Sequence, residues 1–352
     1  MNLNRNFSMG EYLKKKYEDL RPKIQVPSFK STNFTDWKTN FSEIVKDALG
    51  PFPENVPLNP EIIQEIDKGD YIQKKIVFDS EADMSIPAYL LIPKDIKPNE
   101  TRPGILAAHG HGNGKDDVCG VFHGEPARME TINMLNYTYA IQFVKKGFVV
   151  LAPDWRGFGE RRLGYDFRSG PIAPKDGCDQ VFLKGILMGI NTFGLNIHDA
   201  FTSISYLQSL KEVNSDVIGC VGLSYGGTIS LFTSALDDRI KGTIVSGYLN
   251  LLGDFAINQN FCGNQTPIGL LNHGDLPSVA ALIAPKFLYI ESGRQDYTFP
   301  IESSVFAYNE VKRVYKEIDA ERNIHSEVFE GGHKWSGKYS VDLLTKYLNS
   351  II

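Results

Sequence analysis

Residues Val221-Gly222-Leu223-Ser224-Tyr225-Gly226-Gly227 constrain this 352-residue chain more than any other stretch. They follow a short apolar run at 217–220 and lead into 228–235, which reads as a helix. A Gly-x-Ser-x-Gly between a strand and a helix is a sharp reversal with the serine strained at the bend. Gly222 and Gly226 lack the Cβ atoms that would collide there. The turn lifts the Ser224 hydroxyl clear of the sheet and aims backbone N–H groups at the same point. A chain built around such a turn needs a strand before it, a helix after it, and partners that activate the serine.

The surrounding pattern supplies the first two. Residues 71–78 and 86–92 read as two strands joined by a polar turn at 79–83, a hairpin. Short buried strands follow at 104–108, 148–152, 217–221, 240–245, 286–290 and 326–329. Helices fall at 137–146, 197–210, 225–236, 301–316 and 341–351. Short buried strands alternating with helices imply an α/β fold: a mostly parallel central sheet with helices on both faces. The opening hairpin then forms its antiparallel edge. Residues 1–68 read differently. Helices are expected at 12–20 and 35–49, the latter stopped by Gly50-Pro51-Phe52-Pro53. They form an N-terminal helical extension packing on a catalytic domain at 69–352.

In open α/β sheets, sites form beyond the carboxyl ends of strands. Ser224, Asp296 and His333 each fall just past such an end. A serine hydroxyl is a weak nucleophile near neutral pH, so a base must take its proton as it attacks. His333 suits that role, with an ordinary imidazole pKa of about 6.5, and can return the proton to the leaving group. Asp296 would hold the imidazole in the right tautomer and stabilise its cation. Asp254 and Asp275, on the long connection before 286, are the rival acids. The tetrahedral intermediate needs backbone donors, expected at the N–H of Tyr225 and in the glycine-rich loop His109-Gly110-His111-Gly112-Asn113-Gly114-Lys115. There His111 is favoured and Gly112 is second. Trp155, Phe158 and Trp335 flank the site and are candidates to line a substrate pocket.

Two other readings of the glycine-rich loop are weaker. Gly114-Lys115 resembles the end of a phosphate-binding loop, but His109 stands where the first glycine belongs and Asp116 where Ser or Thr belongs. His109 and His111, with Asp116, Asp117 and His123, offer metal-ligand types but no complete set with known spacing. No metal and no cofactor are therefore expected. Asp154 and Arg156, after the 148–152 strand, are expected to pair and lock their loop beside the site.

Composition narrows the partners. The net charge is 37 − 42 = −5, so no basic field points to nucleic acid or a membrane surface. The N-terminus lacks an apolar leader core and no apolar run reaches transmembrane length. The four cysteines lack C-x-x-C spacing, and free thiols in a reducing cytoplasm are expected. The expected partner is a small-molecule ester. A homodimer is the candidate assembly if the N-terminal helices leave an apolar face exposed.

The Gly222-Leu223-Ser224-Tyr225-Gly226-Gly227 turn, the Asp154-x-Arg156-Gly157-x-Gly159 loop and His109-Gly110-His111-Gly112 resemble the dienelactone-hydrolase-like and acetyl-xylan-esterase-like α/β-hydrolases. So do Ala281-Leu282-Ile283-Ala284-Pro285-Lys286, the run Glu291-Ser292-Gly293-Arg294-Gln295-Asp296, Phe299-Pro300 and Gly331-Gly332-His333. The resemblance spans about residue 70 to the end. It implies an α/β-hydrolase fold and a serine esterase acting on small or carbohydrate-borne esters, with Ser224, Asp296 and His333 as the triad. Ser224 stands where true dienelactone hydrolases carry cysteine, which argues against that substrate. A peptidase or amidase on the same scaffold, and a non-catalytic binding protein, are the alternatives.

Overall fold

The computed structural model describes residues 5–30, 32–166, 170–171, 177–257 and 261–352. Among these residues, eleven strands follow one another along the chain. They are β1 (Glu61–Asp67), β2 (Tyr71–Glu81), β3 (Met84–Pro93), β4 (Arg102–Ala108), β5 (Val149–Pro153), β6 (Tyr165–Asp166), β7 (Gly170–Pro171), β8 (Val213–Leu223), β9 (Ile240–Ser246), β10 (Phe287–Gly293) and β11 (Ile324–Phe329). Nine of them make one sheet in the order β1-β2-β3-β5-β4-β8-β9-β10-β11, while β6 and β7 pair separately. From β5 to β11 neighbouring strands of the large sheet are parallel; β1, β2 and β3 form an antiparallel edge. This is the α/β-hydrolase fold.

Alternation along the central strands divides the core into two layers. Leu106 and Ala108 of β4, Val149 and Leu151 of β5, and Ile218 and Cys220 of β8 face one side. Ile105 and Ala107, Val150 and Ala152, and Val217 and Val221 face the other. Side chains two apart share a face, and strands covered on both faces read as continuous apolar runs. Helices Thr192–Ser209 and Tyr225–Leu236 bury their apolar residues in the first layer; Tyr139–Val144 and Ser340–Asn349 cover the second.

The N-terminal segment holds the two expected helices, Met9–Leu20 and Phe34–Leu49. Asn33 caps the second, its Oδ1 accepting from the N–H groups of Thr35 and Asp36 at 2.9 and 3.3 Å. Phe41, Val45, Ala48 and Leu49 then enter the same apolar layer as the elbow helix. The first helix is tied by Tyr17, whose hydroxyl donates to Asp275 at 3.0 Å. The segment is not helical throughout: β1 lies within it and extends the sheet beyond the expected hairpin. All seven β1 residues are exposed, so the strand carries no apolar alternation by which to recognise it. Helices Pro126–Met134 and Cys178–Leu187 are further elements that the sequence pattern did not predict.

Candidate active site

Four loops at the carboxyl ends of the parallel strands converge. Ser224 follows β8 directly and has φ 61° and ψ −122°, a region that non-glycine residues enter only under constraint. The constraint is visible in its neighbours. A Cβ on Gly226 would overlap the Ala108 carbonyl oxygen, and one on Gly222 would overlap the Gly226 backbone. The Ser224 N–H donates to Ser246 O at 2.9 Å, fastening the bend to β9. Tyr225 is the first residue of its helix, so its N–H has no intrahelical acceptor.

Asp296 and His333 are brought together by the backbone beneath them. Beyond β10 and β11 the two loops run side by side: Arg294 N–H donates to Phe329 O and Gln295 N–H to Gly331 O, each at 2.9 Å. Asp296 Oδ2 then lies 2.7 Å from His333 Nδ1. Its other oxygen accepts from the N–H groups of Thr298 and Phe299 at 2.8 and 3.1 Å. The Asp296 side chain is 2% exposed and that of His333 is 19% exposed, so the carboxylate is dry while the imidazole stays partly open to solvent. Phe299 stacks on the imidazole with ring centroids 5.5 Å apart. The rival acid Asp275 is engaged elsewhere, accepting from Tyr17 Oη and from the N–H groups of Leu252 and Leu276.

The imidazole loop is braced from below by Glu291, a fully buried carboxylate on β10. It accepts from the N–H groups of Ser336 and Gly337 at 3.1 and 2.9 Å and from the Ser340 hydroxyl. Burial pushes its pKa up, and these donors only partly oppose that shift.

The glycine-rich loop follows β4. His109 is completely buried and both ring nitrogens are engaged: Nε2 accepts from Trp155 N–H at 3.1 Å, and Nδ1 lies 2.8 Å from Gly110 O. That pattern requires the neutral Nδ1–H tautomer, and burial lowers the pKa in the same sense. His109 therefore cannot ligate a metal, and the loop set considered above does not assemble. Asp116 pairs with His123 and Arg128, and Asp117 accepts from Asn113 N–H. His111 is exposed and turns towards the cleft instead.

The expected pairing of Asp154 with Arg156 does not form. Asp154 instead binds Lys115, and Arg156 makes a two-pronged contact with Asp199, Nε and Nη2 each 2.8 Å from a carboxylate oxygen. The Arg156 backbone is fastened to the same helix, its N–H donating to Asn196 Oδ1 at 2.7 Å, which turns the guanidinium away from Asp154. Trp155, Phe158 and Trp335 also depart from expectation: all three are buried, and none lines the cleft. Phe158 packs edge-on against both His109 and His111, and Trp335 packs on Tyr139.

The cleft itself has a volume of about 540 Å³ and is lined by Ser224, His111, Phe255, Phe261, Gln265 and Phe299, with Cys178, Asp179, Cys262, Gly112 and Thr298 completing it. The sulfur atoms of Cys178 and Cys262 are 3.1 Å apart, with Cys262 donating. That hydrogen bond, aided by His111 and opposed by burial, pulls the Cys178 thiol well below its ordinary range and pushes Cys262 up. Among the described residues, His111, Cys178 and Cys262 are the group whose donor atoms approach closely enough to hold a metal ion. Cysteines 84 residues apart on connections with no regular pattern gave no sequence signal of this contact.

Comparison with known proteins agrees with the fold. The Abhydrolase family profile matches residues 4–191, and the chain belongs to that family. The match includes the glycine-rich loop and ends before the serine turn. The chain is 29% identical over 194 residues to "Putative hydrolase YtaP" of Bacillus subtilis, covering 55% of this chain. The match spans 58% of that relative's length. Among solved structures, a "putative acetyl xylan esterase" of Bacteroides fragilis superposes with a TM-score of 0.76 at 17% identity, covering 94% of this chain and 84% of that one. A glucuronoyl esterase of Solibacter usitatus gives 0.63 at 16%, covering 92% and 94%. Among the described residues no helix is long and apolar enough to cross a membrane.

Proposed function

Starting from membership of the Abhydrolase family, we propose that this protein is a serine hydrolase of carboxylic esters. The observation that carries the reading is the pairing of Asp296 with His333 at 2.7 Å, at the same end of the sheet as a serine held at φ 61°. In this reaction the Ser224 hydroxyl oxygen attacks the ester carbonyl carbon while His333 Nε2 takes its proton. The resulting oxyanion accepts hydrogen bonds from the N–H groups of Tyr225 and His111. Collapse breaks the bond to the alcohol oxygen, which leaves with the proton from His333, and an acyl group remains on Ser224. Water, deprotonated by the same imidazole, then releases the acid. Asp296, acceptor-only when ionised, keeps Nδ1–H directed at itself and Nε2 free for this traffic.

The lining of the cleft supports a reading of the substrate class. Three phenylalanines offer an apolar wall for a compact acyl group, while Gln265, Thr298 and Asp179 supply polar groups for a hydroxylated alcohol. The names of the structural relatives, acetyl xylan and glucuronoyl esterases, accord with an ester borne on a carbohydrate. Hydrolysis of p-nitrophenyl acetate and butyrate tests the reaction, comparing wild type with Ser224→Ala in the presence of a chelator. Loss of about 10⁴-fold or more in the variant is expected. Undiminished turnover in Ser224→Ala would refute the serine mechanism. Acetylated xylo-oligosaccharides then test the alcohol.

A further inference from the structure

We propose that His111, Cys178 and Cys262 form a zinc-binding site in the wall of the cleft that also holds Ser224. The donors come from three separate segments: the loop after β4, the first turn of helix Cys178–Leu187, and the residue preceding the short helix Gly263–Gln265. Their nitrogen and sulfur atoms all lie within 4.8 Å of one another. Atoms bound to one tetrahedral zinc at about 2.0–2.3 Å stand about 3.3–3.8 Å apart. The sulfur pair at 3.1 Å therefore has to open by only about 0.7 Å to admit the ion.

The surroundings hold these donors in place without the ion. Asp179 Oδ1 accepts from Gly263 N–H at 2.6 Å, joining the two cysteine segments one residue beyond each thiol. Phe182 packs against Gly263, and the Cys178 backbone abuts Gly157. His111 is steadied by edge-on contacts with Phe158 and Tyr225, at ring-centroid distances of 5.3 and 5.5 Å. Two thiolates and an imidazole form a soft donor set that favours zinc over magnesium or calcium. Three protein donors facing an open cleft leave a fourth position for water or a ligand.

An ion here shares the cleft with Ser224 and obstructs the path of an ester to it. Zinc therefore inhibits hydrolysis and a chelator restores it; this consequence rests on the hydrolase reading, whereas metal uptake does not.

The test titrates zinc into reduced, metal-stripped full-length protein against a chromogenic chelator. One equivalent should bind at micromolar affinity or tighter. Cys178→Ser and Cys262→Ser should each weaken binding by at least the 10- to 100-fold that even outer-shell changes cost, roughly. Cobalt uptake should give thiolate-to-metal absorption in wild type that is markedly weaker in each variant. Failure to bind one equivalent, or equal affinity in wild type and both variants, overturns the site. So does mass spectrometry showing a Cys178–Cys262 disulfide when reduced protein is offered air and zinc together. The ratio of ester hydrolysis with and without zinc, read within each protein, tests inhibition: a wild-type ratio near one overturns it. Since uptake is read without activity, absence of any esterase activity leaves the titration decisive for the site.

Discussion

Asp154 takes both ends of Lys115: one carboxylate oxygen accepts the backbone N–H at 2.7 Å and the other the ammonium, also at 2.7 Å. Both side chains are at most 1% exposed. Burial would lower the Lys115 pKa, but Asp154, Asp116 and Glu160 outweigh it and raise it. Lys115 is the last residue of the glycine-rich loop, so this pair anchors the loop that offers His111 to the cleft. Removing Asp154 leaves the buried ammonium with Glu160 as its remaining direct partner and the Lys115 N–H without its acceptor. Asp154→Ala should lose about 3–5 kcal/mol of stability in urea unfolding, and a loss below about 1 kcal/mol would show that the pair is dispensable.

Asp296→Asn leaves an oxygen to accept from Thr298 and Phe299 but presents His333 with an amide in place of a carboxylate. The imidazole then loses its tautomeric restraint. The turnover number for p-nitrophenyl acetate should fall about 10⁴-fold, with the thermal midpoint nearly unchanged. A turnover within tenfold of wild type would remove Asp296 from the reaction.

Two glycines separate steric crowding from backbone strain. Gly69, at φ 88°, has nothing within 4 Å of the methyl that alanine would add, whereas the same methyl on Gly226 would overlap the Ala108 carbonyl. Gly69→Ala should cost about 1–2 kcal/mol, the penalty of a left-handed backbone. Gly226→Ala should exceed the ~3 kcal/mol that ordinary overpacking costs. Equal midpoints in urea would contradict the tightness of the elbow.

Asp199 gives a pH dependence of known sign. Burial alone would raise its pKa, but the Arg161 and Arg156 guanidiniums hold it well below the usual carboxylate range. Its stabilising contribution is therefore complete above the unfolded value of about 3.9 and disappears as pH falls through the lower folded value. The advantage of wild type over Asp199→Asn in thermal midpoint should persist at pH 4 and shrink only below it. An advantage that already declines between pH 6 and 5 would contradict that assignment.

Legibility in the sequence followed the reach of each constraint. The serine turn could be read because its glycines answer to a close approach encoded within five residues, and Asp296 and His333 because each follows an apolar strand at short distance. The parallel strands were readable because burial on both faces leaves uninterrupted apolar runs. Strand β1 was not, since Glu61-Ile62-Ile63-Gln64-Glu65-Ile66-Asp67 is exposed throughout. Long-range polar partners were not readable either. Asp154 has its neighbour Arg156 two residues away but bonds Lys115, 39 residues back. Trp155, Phe158 and Trp335 lie next to site residues in the sequence, yet their bulk fills the core.

The side-by-side run of the β10 and β11 loops bears on which segments can change length. Arg294 and Gln295 are registered against Phe329 and Gly331, so inserting a residue in either loop slides Asp296 past His333. Those two loops are bound to lengthen or shorten together or not at all. The excursion from β9 to β10, residues 247–286, carries Phe255, Phe261, Cys262 and Gln265 into the cleft and, among its described residues, has no such ladder to Asp296 and His333. It can gain or lose residues and reshape the cleft while the spacing of Asp296 and His333 stays the same.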